Sequence, residues 1–226
     1  MVRLEHSPAL GRVLRRDSQE ELGIPTWKFI RDAIREGDAD RALTLLDYEC
    51  CVSQATHDSI VTFVDDVLTR LALVDEDTLY EILRKRYYPR VSHYLCCTTG
   101  VKELLEISTE MHRGHGGNLV VREEPDRYVV TLDPCGSGGR LRRARDVITT
   151  KRTYPWAWSK VGVPVYCTHC CVFWEVLPTE IRGHPARINL LGEKPQDPCV
   201  HLFYKQPELI PEEYFTRIGK TKPKQF

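Results

Sequence analysis

Cysteine and histidine side chains in the second half of the sequence have the types and spacing that metal chemistry requires. Cys167 and Cys170 form a C-x-x-C motif that encloses His169. Two thiolates three positions apart can reach one ion at a turn or at the start of a helix, where exposed backbone N–H groups also lower the thiol pKa. The motif therefore indicates a metal site.

Zinc usually takes four ligands, and the sequence has no second C-x-x-C motif to supply them. Cys135 lies in a Gly-rich loop directly after a predicted strand, and Cys199 begins the last predicted strand, two residues before His201. The predicted zinc ligands are Cys135, Cys167, Cys170 and Cys199. Whether His169 or His201 replaces one of these thiolates stays open. If all four thiolates bind, no coordination position remains for water and the zinc is structural.

Other interpretations of the cysteines remain open. The thiols can simply be buried as small hydrophobic groups, and this fits the four that lie in predicted helices, namely Cys50, Cys51, Cys96 and Cys97. The C-x-x-C motif also serves thioredoxin-like dithiol catalysis, although the βαβ pattern of that fold is missing around it. A Cys135 that binds no metal is a candidate nucleophile, activated by His169 or another base.

Three residues near these cysteines are candidates for moving protons during catalysis: His169, His115 and Glu175. His112 and His115 are three positions apart where a predicted helix ends in glycines, so both rings can face one site. A polar helix end is the alternative, because imidazolium is favoured near exposed carbonyl groups.

Arg140 and a group of aromatic residues are candidates for holding a substrate. Arg140 follows the loop of Cys135, and its guanidinium can bind both oxygens of a carboxylate. The predicted wall of the substrate pocket consists of Trp156, Trp158 and Tyr166. Alternatively, Arg140 belongs to a solvated basic run and the aromatic rings pack in the core.

The composition limits the classes of partner. Lys+Arg and Asp+Glu both number 32 in the 226 residues, so the chain lacks the basic excess of a nucleic-acid binder. The N-terminal segment has no apolar stretch of a signal peptide, and no window approaches the ~20 apolar residues of a membrane span. We therefore expect a cytoplasmic protein without nucleic-acid or membrane partners, in which the nine cysteines are thiols or metal ligands. A homo-oligomer is left open.

The hydrophobic pattern divides the chain into four parts: a flexible tail at 1–22, a helical region at 23–113, an α+β region with the metal and ligand sites at 114–219, and a disordered basic tail at 220–226. Within the helical region, separate helices are predicted from about 38 and from about 53, and Asp75 is a predicted N-cap. In the α+β region we predict strands at 118–121, 127–132, 163–166, 186–191 and 200–205, and a helix from Thr168 that Pro178 ends.

Three segments of the second half have a layout that resembles known families: 162–167 (GVPVYC), 183–187 (GHPAR) and 197–204 (DPCVHLFY). The layout is similar to that of the L-2-amino-thiazoline-4-carboxylic acid hydrolases and of the 4-vinyl reductase type of small-molecule-binding domain. In both, a helical first part precedes a late strand that a cysteine introduces, here Cys199. The resemblance spans 115–205 and implies a ligand-binding layout, whereas 167–171 and the loop at 133–140 have no counterpart in it.

Together these observations predict an α+β fold in which an N-terminal helical layer packs on a mainly antiparallel C-terminal sheet, with a Cys/His metal site at their interface. The expected function is that of a zinc-dependent hydrolase or lyase acting on a small heterocyclic or carboxylated compound. The alternative is a non-enzymatic domain that senses a small molecule and uses zinc as a structural element.

Overall fold

The structure is a computed structural model that describes residues 3–8, 10–16, 18 and 20–225. The chain divides into two compact units, one that ends at His57 and one that begins at Asp58. Among the described residues, no helix combines the length and the apolar character that crossing a membrane requires.

The first unit begins with a β-hairpin. Strand β1 (Arg3–Ser7) pairs antiparallel with β2 (Arg12–Arg16), and Gly11 takes the left-handed conformation (φ +62°) at the turn. The expectation of a loose tail at 1–22 is therefore wrong for this segment, apart from residues 1, 2, 9, 17 and 19, which lie outside the described chain. The strands escaped detection because charged residues occupy both of their faces, so the sequence shows no apolar alternation.

Helices dominate the rest of the first half, as predicted. They are α1 (Thr26–Arg35), α2 (Ala39–Val74), α3 (Glu76–Cys97) and α4 (Val101–Gly114). Asp75 caps α3 as expected, because its carboxylate accepts hydrogen bonds from the backbone N–H groups of Asp77 and Thr78. The two helices predicted between 38 and 73 are one helix, since that stretch contains no Gly or Pro to interrupt it.

The second half contains an antiparallel sheet of four strands. Its strands are β3 (Leu119–Glu123), β4 (Arg127–Leu132), β5 (Ile188–Leu190) and β6 (Cys199–Tyr204), in the order β3-β4-β6-β5. Four of the predicted strands are thereby confirmed. The fifth, at 163–166, is wrong: a 3₁₀ turn at Val165–Cys167 follows Pro164, whose missing N–H group disfavours a ladder.

The register of the sheet gathers residues that are distant in sequence. Cys199 lies opposite Leu132, just before the loop that carries Cys135. His201 lies opposite Asn189 on the neighbouring strand. One end of the sheet therefore presents Cys199, His201 and Asn189 together, next to the Cys135 loop.

A short helix, α5 (Gly138–Ala144), follows that loop and is absent from the predicted elements. Two glycines open it and hid it from the sequence pattern, because glycine is a poor helix former. A helical segment from Thr168 to Arg182 comes later, in three pieces: α6 (Thr168–Cys171), a π-helical turn (Val172–Val176) and α7 (Leu177–Arg182).

The predicted end of this segment at Pro178 is wrong, and the hydrogen bonds of Trp174 give the reason. Proline has no N–H group to donate to the carbonyl four residues earlier, which is that of Trp174. The Trp174 oxygen instead accepts from the N–H of Ala186 at 2.9 Å and of Arg187 at 3.3 Å. The helix therefore continues past Pro178. The Trp174 carbonyl, which Pro178 leaves without a helical donor, holds the segment that leads into β5 by these two hydrogen bonds.

The main core lies between the helices of the second unit and the sheet. Its buried members include Leu79, Leu83, Leu104, Leu105, Val130, Leu132 and Phe203. The described part of the basic tail also makes contacts: Lys220 donates to Glu180 and Lys222 to the Glu208 carbonyl. The tail predicted to be disordered is thus held at two points, while residue 226 lies outside the described chain.

The end of α4 packs directly on the Cys135 loop, which makes Gly136 sensitive to substitution. A Cβ at Gly136 would clash with the His115 carbonyl oxygen and lie 2.7 Å from the Gly117 nitrogen. We predict that Gly136→Ala lowers the free energy of unfolding by about 1–3 kcal/mol, the usual cost of overpacking. Urea unfolding would measure this change.

Gly114 is the matched control, because a Cβ there would meet no atom within 4 Å. Gly114→Ala should leave the free energy of unfolding unchanged or raise it by up to about 1 kcal/mol. Equal losses in the two variants would show that the loop is not packed as described.

Candidate functional site

All four cysteines predicted as ligands line one small cavity of about 30 Å³. We call it the thiol cavity. Its lining consists of Cys135, Cys167, Cys170 and Cys199, the imidazoles of His169 and His201, and the residues Ser137, Gly138, Gly139, Trp158, Asn189, Leu190 and Leu191. The cysteines come from three separate parts of the chain: the loop after β4, the continuous 3₁₀ turn and α6 with the C-x-x-C motif, and the start of β6.

Glycines of the Cys135 loop let the backbone approach these thiols. A Cβ at Gly138 would lie 2.8 Å from Cys167 Sγ, and one at Gly139 would lie 2.9 Å from Cys135 Cβ. Side chains at these positions would displace the sulfurs. The glycines of this loop therefore serve the packing of the cysteines.

Cys170 and His169 form a thiol–imidazole pair. Cys170 Sγ lies 3.5 Å from His169 Nε2, and His169 Nδ1 donates a hydrogen bond to the Tyr166 carbonyl oxygen at 2.5 Å. Burial opposes charge on both groups, but their mutual attraction is stronger: it lowers the pKa of Cys170 and raises the pKa of His169 to about 9. The mutual attraction therefore favours the thiolate form of Cys170 beside an imidazolium, and a backbone carbonyl fixes the orientation of the ring.

Two other thiols at the cavity, those of Cys167 and Cys199, favour their neutral form. Burial raises the pKa of Cys167 well above its ordinary value and that of Cys199 to about 11. The charges of neighbouring cysteines act in the same direction on both. Several thiols crowded in a dry space resist ionisation unless a cation compensates them.

The remaining cysteines lie elsewhere. Cys171 is buried, and its Sγ donates to the Pro155 carbonyl oxygen at 3.6 Å, away from the thiol cavity. The interpretation that the four helical cysteines pack in a core is wrong: Cys50, Cys51, Cys96 and Cys97 are all exposed. They occupy the solvent side of long helices, a distinction that residue type alone does not reveal.

Glu175, a candidate for moving protons, is fully buried and surrounded by donors. Oε1 accepts from Trp158 Nε1, from the backbone N–H of Asn189 and from Asn189 Nδ2, each at 2.8 Å. Oε2 accepts from Arg217 Nε at 3.2 Å and Nη2 at 2.7 Å. These contacts connect the π-helical turn to β5 and to the C-terminal segment. Glu175 therefore has a structural role.

Arg140, the predicted carboxylate anchor, is engaged within the protein. It donates to Asp58 Oδ1 from Nε and Nη2, to the His115 carbonyl from Nη2 and to the Gly116 carbonyl from Nη1. It does not line the thiol cavity. These contacts hold the turn after α4, and the third proton-moving candidate, His115, lies in that turn with its ring centroid 6.5 Å from that of His112.

The three aromatic candidates have different surroundings. Trp156 is buried and stacks on Tyr80 and Tyr154 at centroid distances of 5.6 and 4.6 Å, which is core packing. The Tyr166 ring meets the His169 ring edge-on at 5.0 Å. Trp158 lines the thiol cavity itself.

A larger pocket of about 720 Å³ adjoins the thiol cavity, and we call it the outer pocket. The two share Trp158, Asn189, Leu190 and Leu191 as lining residues. The outer pocket is also lined by basic residues, namely Arg142, Arg145, Lys160 and Arg217. It has the size that small-molecule sites usually have.

Sequence reasoning missed two central residues, Arg187 and Asn189. Arg187 is 2% exposed, and its Nε donates to Asn189 Oδ1 at 2.8 Å. Asn189 in turn links Glu175 to the Cys170 carbonyl oxygen. The only signal was the position of Arg187 within the strand predicted at 186–191, although a charged residue ordinarily faces solvent.

Within residues 3–8, 10–16, 18 and 20–225, no group of three or more Cys, His, Asp or Glu side chains is arranged to hold a metal ion. The chain matches no protein-family model, no curated protein and no solved structure at a significant level. The site is therefore interpreted from its own geometry.

The Glu175 contacts predict a large loss of stability when its charge is removed. Glu175→Gln should lower the free energy of unfolding by about 3–5 kcal/mol, because it removes the fully buried carboxylate and leaves the half-buried Arg217 without its charged partner. Urea unfolding measures the change. Glu180, which pairs with Arg84 and Lys220 near the surface, is the control, and Glu180→Gln should cost about 1 kcal/mol or less. A similar small loss for both would contradict the network.

The Cys170–His169 pair predicts unusual thiol reactivity. Because the pKa of Cys170 is lowered, its alkylation by iodoacetamide in zinc-free protein should stay fast at pH values where free cysteine has slowed about tenfold per unit. His169→Asn should restore the steep pH dependence of free cysteine. His93→Asn, which changes an imidazole beside Cys97, should leave Cys170 unaffected. A steep profile in the unmodified protein would rule out the ion pair.

Proposed function

We propose that the thiol cavity binds zinc through three or four of the thiols of Cys135, Cys167, Cys170 and Cys199, and that the chain is a zinc-dependent hydrolase or lyase for small organic molecules, in which three of them bind and the fourth position holds water. The observation that carries the proposal is the convergence of these four cysteines on one space of about 30 Å³. Packing alone gives no reason for three separate parts of the chain to bring four thiols to one point. A bound soft divalent cation would give such a reason, because thiolates are its preferred ligands.

The chemistry of the donors also supports a cation. Burial favours the protonated thiols of Cys167 and Cys199, and a bound zinc ion would take the place of their protons. Binding requires the cysteine side chains to turn toward the cavity centre, since the described rotamers do not form a ligand group as they stand. Such rotations about a single Cα–Cβ bond connect ordinary staggered rotamers.

The enzyme proposal depends on the outer pocket. A heterocyclic or carboxylated compound fits a volume of about 720 Å³, and the shared wall of Trp158 and Asn189 brings it beside the cavity. Zinc with an open position lowers the pKa of a bound water toward ~7. His169 is then the group that moves a proton, because its Nε2 faces the cavity and its Nδ1 is held by Tyr166.

A second candidate is a non-enzymatic domain that senses a small molecule and uses zinc for folding. The presence of four thiols at the cavity favours it, since four thiolates fill a tetrahedral zinc site and leave no position for water. If His201 or His169 binds zinc in place of one cysteine, the site still has four protein ligands and no position for water. In either case we propose a reducing compartment such as the cytoplasm, because oxidation of these thiols would destroy the ligand set.

Zinc content of cysteine variants tests the proposal. We predict about one equivalent of zinc per chain in the unmodified protein and its loss in Cys135→Ser, Cys167→Ser, Cys170→Ser and Cys199→Ser. Each variant should also be destabilised, because structural or catalytic zinc contributes to the folding free energy. Elemental analysis after purification without added metal gives the content, and thermal unfolding gives the stability.

Cys171→Ala is the matched control, because Cys171 belongs to the same motif but its thiol faces the Pro155 carbonyl. This variant should keep its zinc. Cys96→Ser, at an exposed helical position, should keep both zinc and stability. Zinc retained in Cys170→Ser and Cys199→Ser would refute the assignment, as would zinc-free protein of undiminished stability.

A further inference from the structure

A third pocket, of about 270 Å³, lies where the start of α4 meets the segment between α7 and β5 and the end of β6. It shares no lining residue with the thiol cavity or the outer pocket. In the described part of the chain, no Asp or Glu side chain lines it, whereas four basic residues do: Arg182, His184, Arg187 and Lys205. We call it the basic pocket.

Two of these four residues carry a positive charge that no carboxylate pairs with. Lys205 donates to Glu123 at 2.7 Å, so its charge is compensated. Burial, followed by the charge of Arg182, lowers the pKa of His184 to about 4, so its ring is neutral. Arg182 and Arg187 form no ion pair with an Asp or Glu of the described chain. The basic pocket therefore has two positive charges and no anion.

Arg187 is the more deeply buried of the two, with 2% of its side chain exposed. Nε donates to Asn189 at 2.8 Å and Nη1 to Ser108 Oγ at 2.7 Å, and the guanidinium lies 4.3 Å from the centre of the Trp174 ring. Nη2 has no hydrogen-bond partner among the described residues. Neutral groups thus surround this guanidinium, and a buried charge compensated so incompletely costs free energy.

Arg182, the last residue of α7, is half-buried and is held even less firmly. Its one hydrogen bond to the described chain runs from Nη2 to the Pro185 carbonyl oxygen at 3.4 Å, which is long for such a bond, and its buried Nε has no partner. Burial lowers the pKa of Arg182 to about 10 without an acid that offsets the effect. Most donors of this guanidinium are therefore available to a ligand.

The N-terminus of α4 adds backbone donors to the same pocket. Gly100 and Val101 line the pocket, and Gly100, the N-cap residue, has no side chain to accept from the first N–H groups of the helix. The Glu103 carboxylate bonds Thr99 instead, through its backbone N–H and its hydroxyl. The start of a helix of this length favours an anion, since its N–H groups and its dipole both present positive charge.

We propose that the basic pocket binds the phosphate group of a small phosphate monoester between Arg182, Arg187 and the N-terminus of α4. A monoester carries nearly two negative charges near neutral pH, which matches the two uncompensated guanidinium groups. The planar guanidinium fork also suits phosphate oxygens. The inference does not rest on the zinc site, because the two sites have no lining residue in common.

The size and walls of the basic pocket favour an organic ester over the free ion. Its volume is close to the lower limit of about 300 Å³ for small-molecule sites and exceeds what a phosphate group alone requires. The remaining wall is largely apolar and includes Leu104, Ile188, Leu202 and Ile210. A small apolar body attached to the phosphate can therefore lie against these side chains.

Calorimetric titration of the full chain with phosphate esters tests the proposal. Methyl phosphate should bind saturably, and phenyl phosphate more tightly because its ring contacts the apolar wall. Dimethyl phosphate, which has a single charge, should bind about tenfold more weakly or worse. Sodium chloride at equal ionic strength controls for general salt effects. Equal binding of the monoester and the diester would contradict the two-charge site, and inorganic phosphate binding more tightly than phenyl phosphate would overturn the assignment to an ester.

Arg182→Met removes one of the two charges and keeps an unbranched side chain. It should weaken methyl phosphate binding by about ten- to a hundredfold, the loss expected for a charge-assisted hydrogen bond. The melting temperature without ligand should not fall, because the charge removed has no partner, whereas a merely structural arginine would lower it. Arg122→Met is the matched control: Arg122 is exposed on β3 and does not line the pocket, so binding should be unchanged. Equal binding by all three proteins, or equal loss in both variants, would refute the site.

Nuclear magnetic resonance of the unmodified protein locates the ligand without any variant. Methyl phosphate should shift the backbone amide signals of Val101 and Lys102 at the start of α4. The amide signals of Lys160 and Val161, in the outer pocket, should stay in place. An unshifted Val101 amide at saturating methyl phosphate would overturn the proposal, as would shifts confined to the outer pocket.

Discussion

The carboxylate of Glu175 is the constraint on which the rest of the second unit depends. It is fully buried and accepts five N–H groups, from Trp158, Asn189 and Arg217. A buried charge is tolerated only when its lone pairs are satisfied, so each of these donors is held in place by the same requirement. Three segments that meet only through folding are thereby fixed relative to one another: the loop of Trp158, strand β5 and the C-terminal segment.

The thiol cavity follows from this arrangement. Glu175 positions Asn189 and Trp158 on one wall, while the sheet register and the glycines of the Cys135 loop bring the cysteines to the other. The π-helical turn and Pro178 belong to the same construction, because the Trp174 carbonyl left without a helical partner holds Arg187 at the start of β5. Backbone groups as well as side chains therefore hold the four thiols and the two imidazoles of the cavity in place.

The sequence predicted the coarse fold and the members of the cysteine cluster, but not the network that holds them. Cys135, Cys167, Cys170 and Cys199 could be chosen because thiol spacing and strand positions are local signals. Arg187 could not be predicted as a buried residue, because it is buried by contacts with Ser108, Asn189 and Trp174. The sequence alone does not place these residues beside it. The same limit explains Arg140 and Glu175: their chemistry was recognised, but their partners, Asp58 and Arg217, are distant in sequence. The N-terminal hairpin was missed because its charged strands carry no apolar alternation.

X-ray absorption at the zinc edge of the unmodified protein tests the central claim most directly. The account predicts a coordination shell of three or four sulfur atoms at about 2.3 Å, with at most one nitrogen or oxygen neighbour. Four sulfurs would identify a structural zinc, whereas three with one lighter atom would leave the position that catalysis needs. A shell of nitrogen and oxygen alone, or protein that binds no zinc, would contradict the thiol cavity as a metal site.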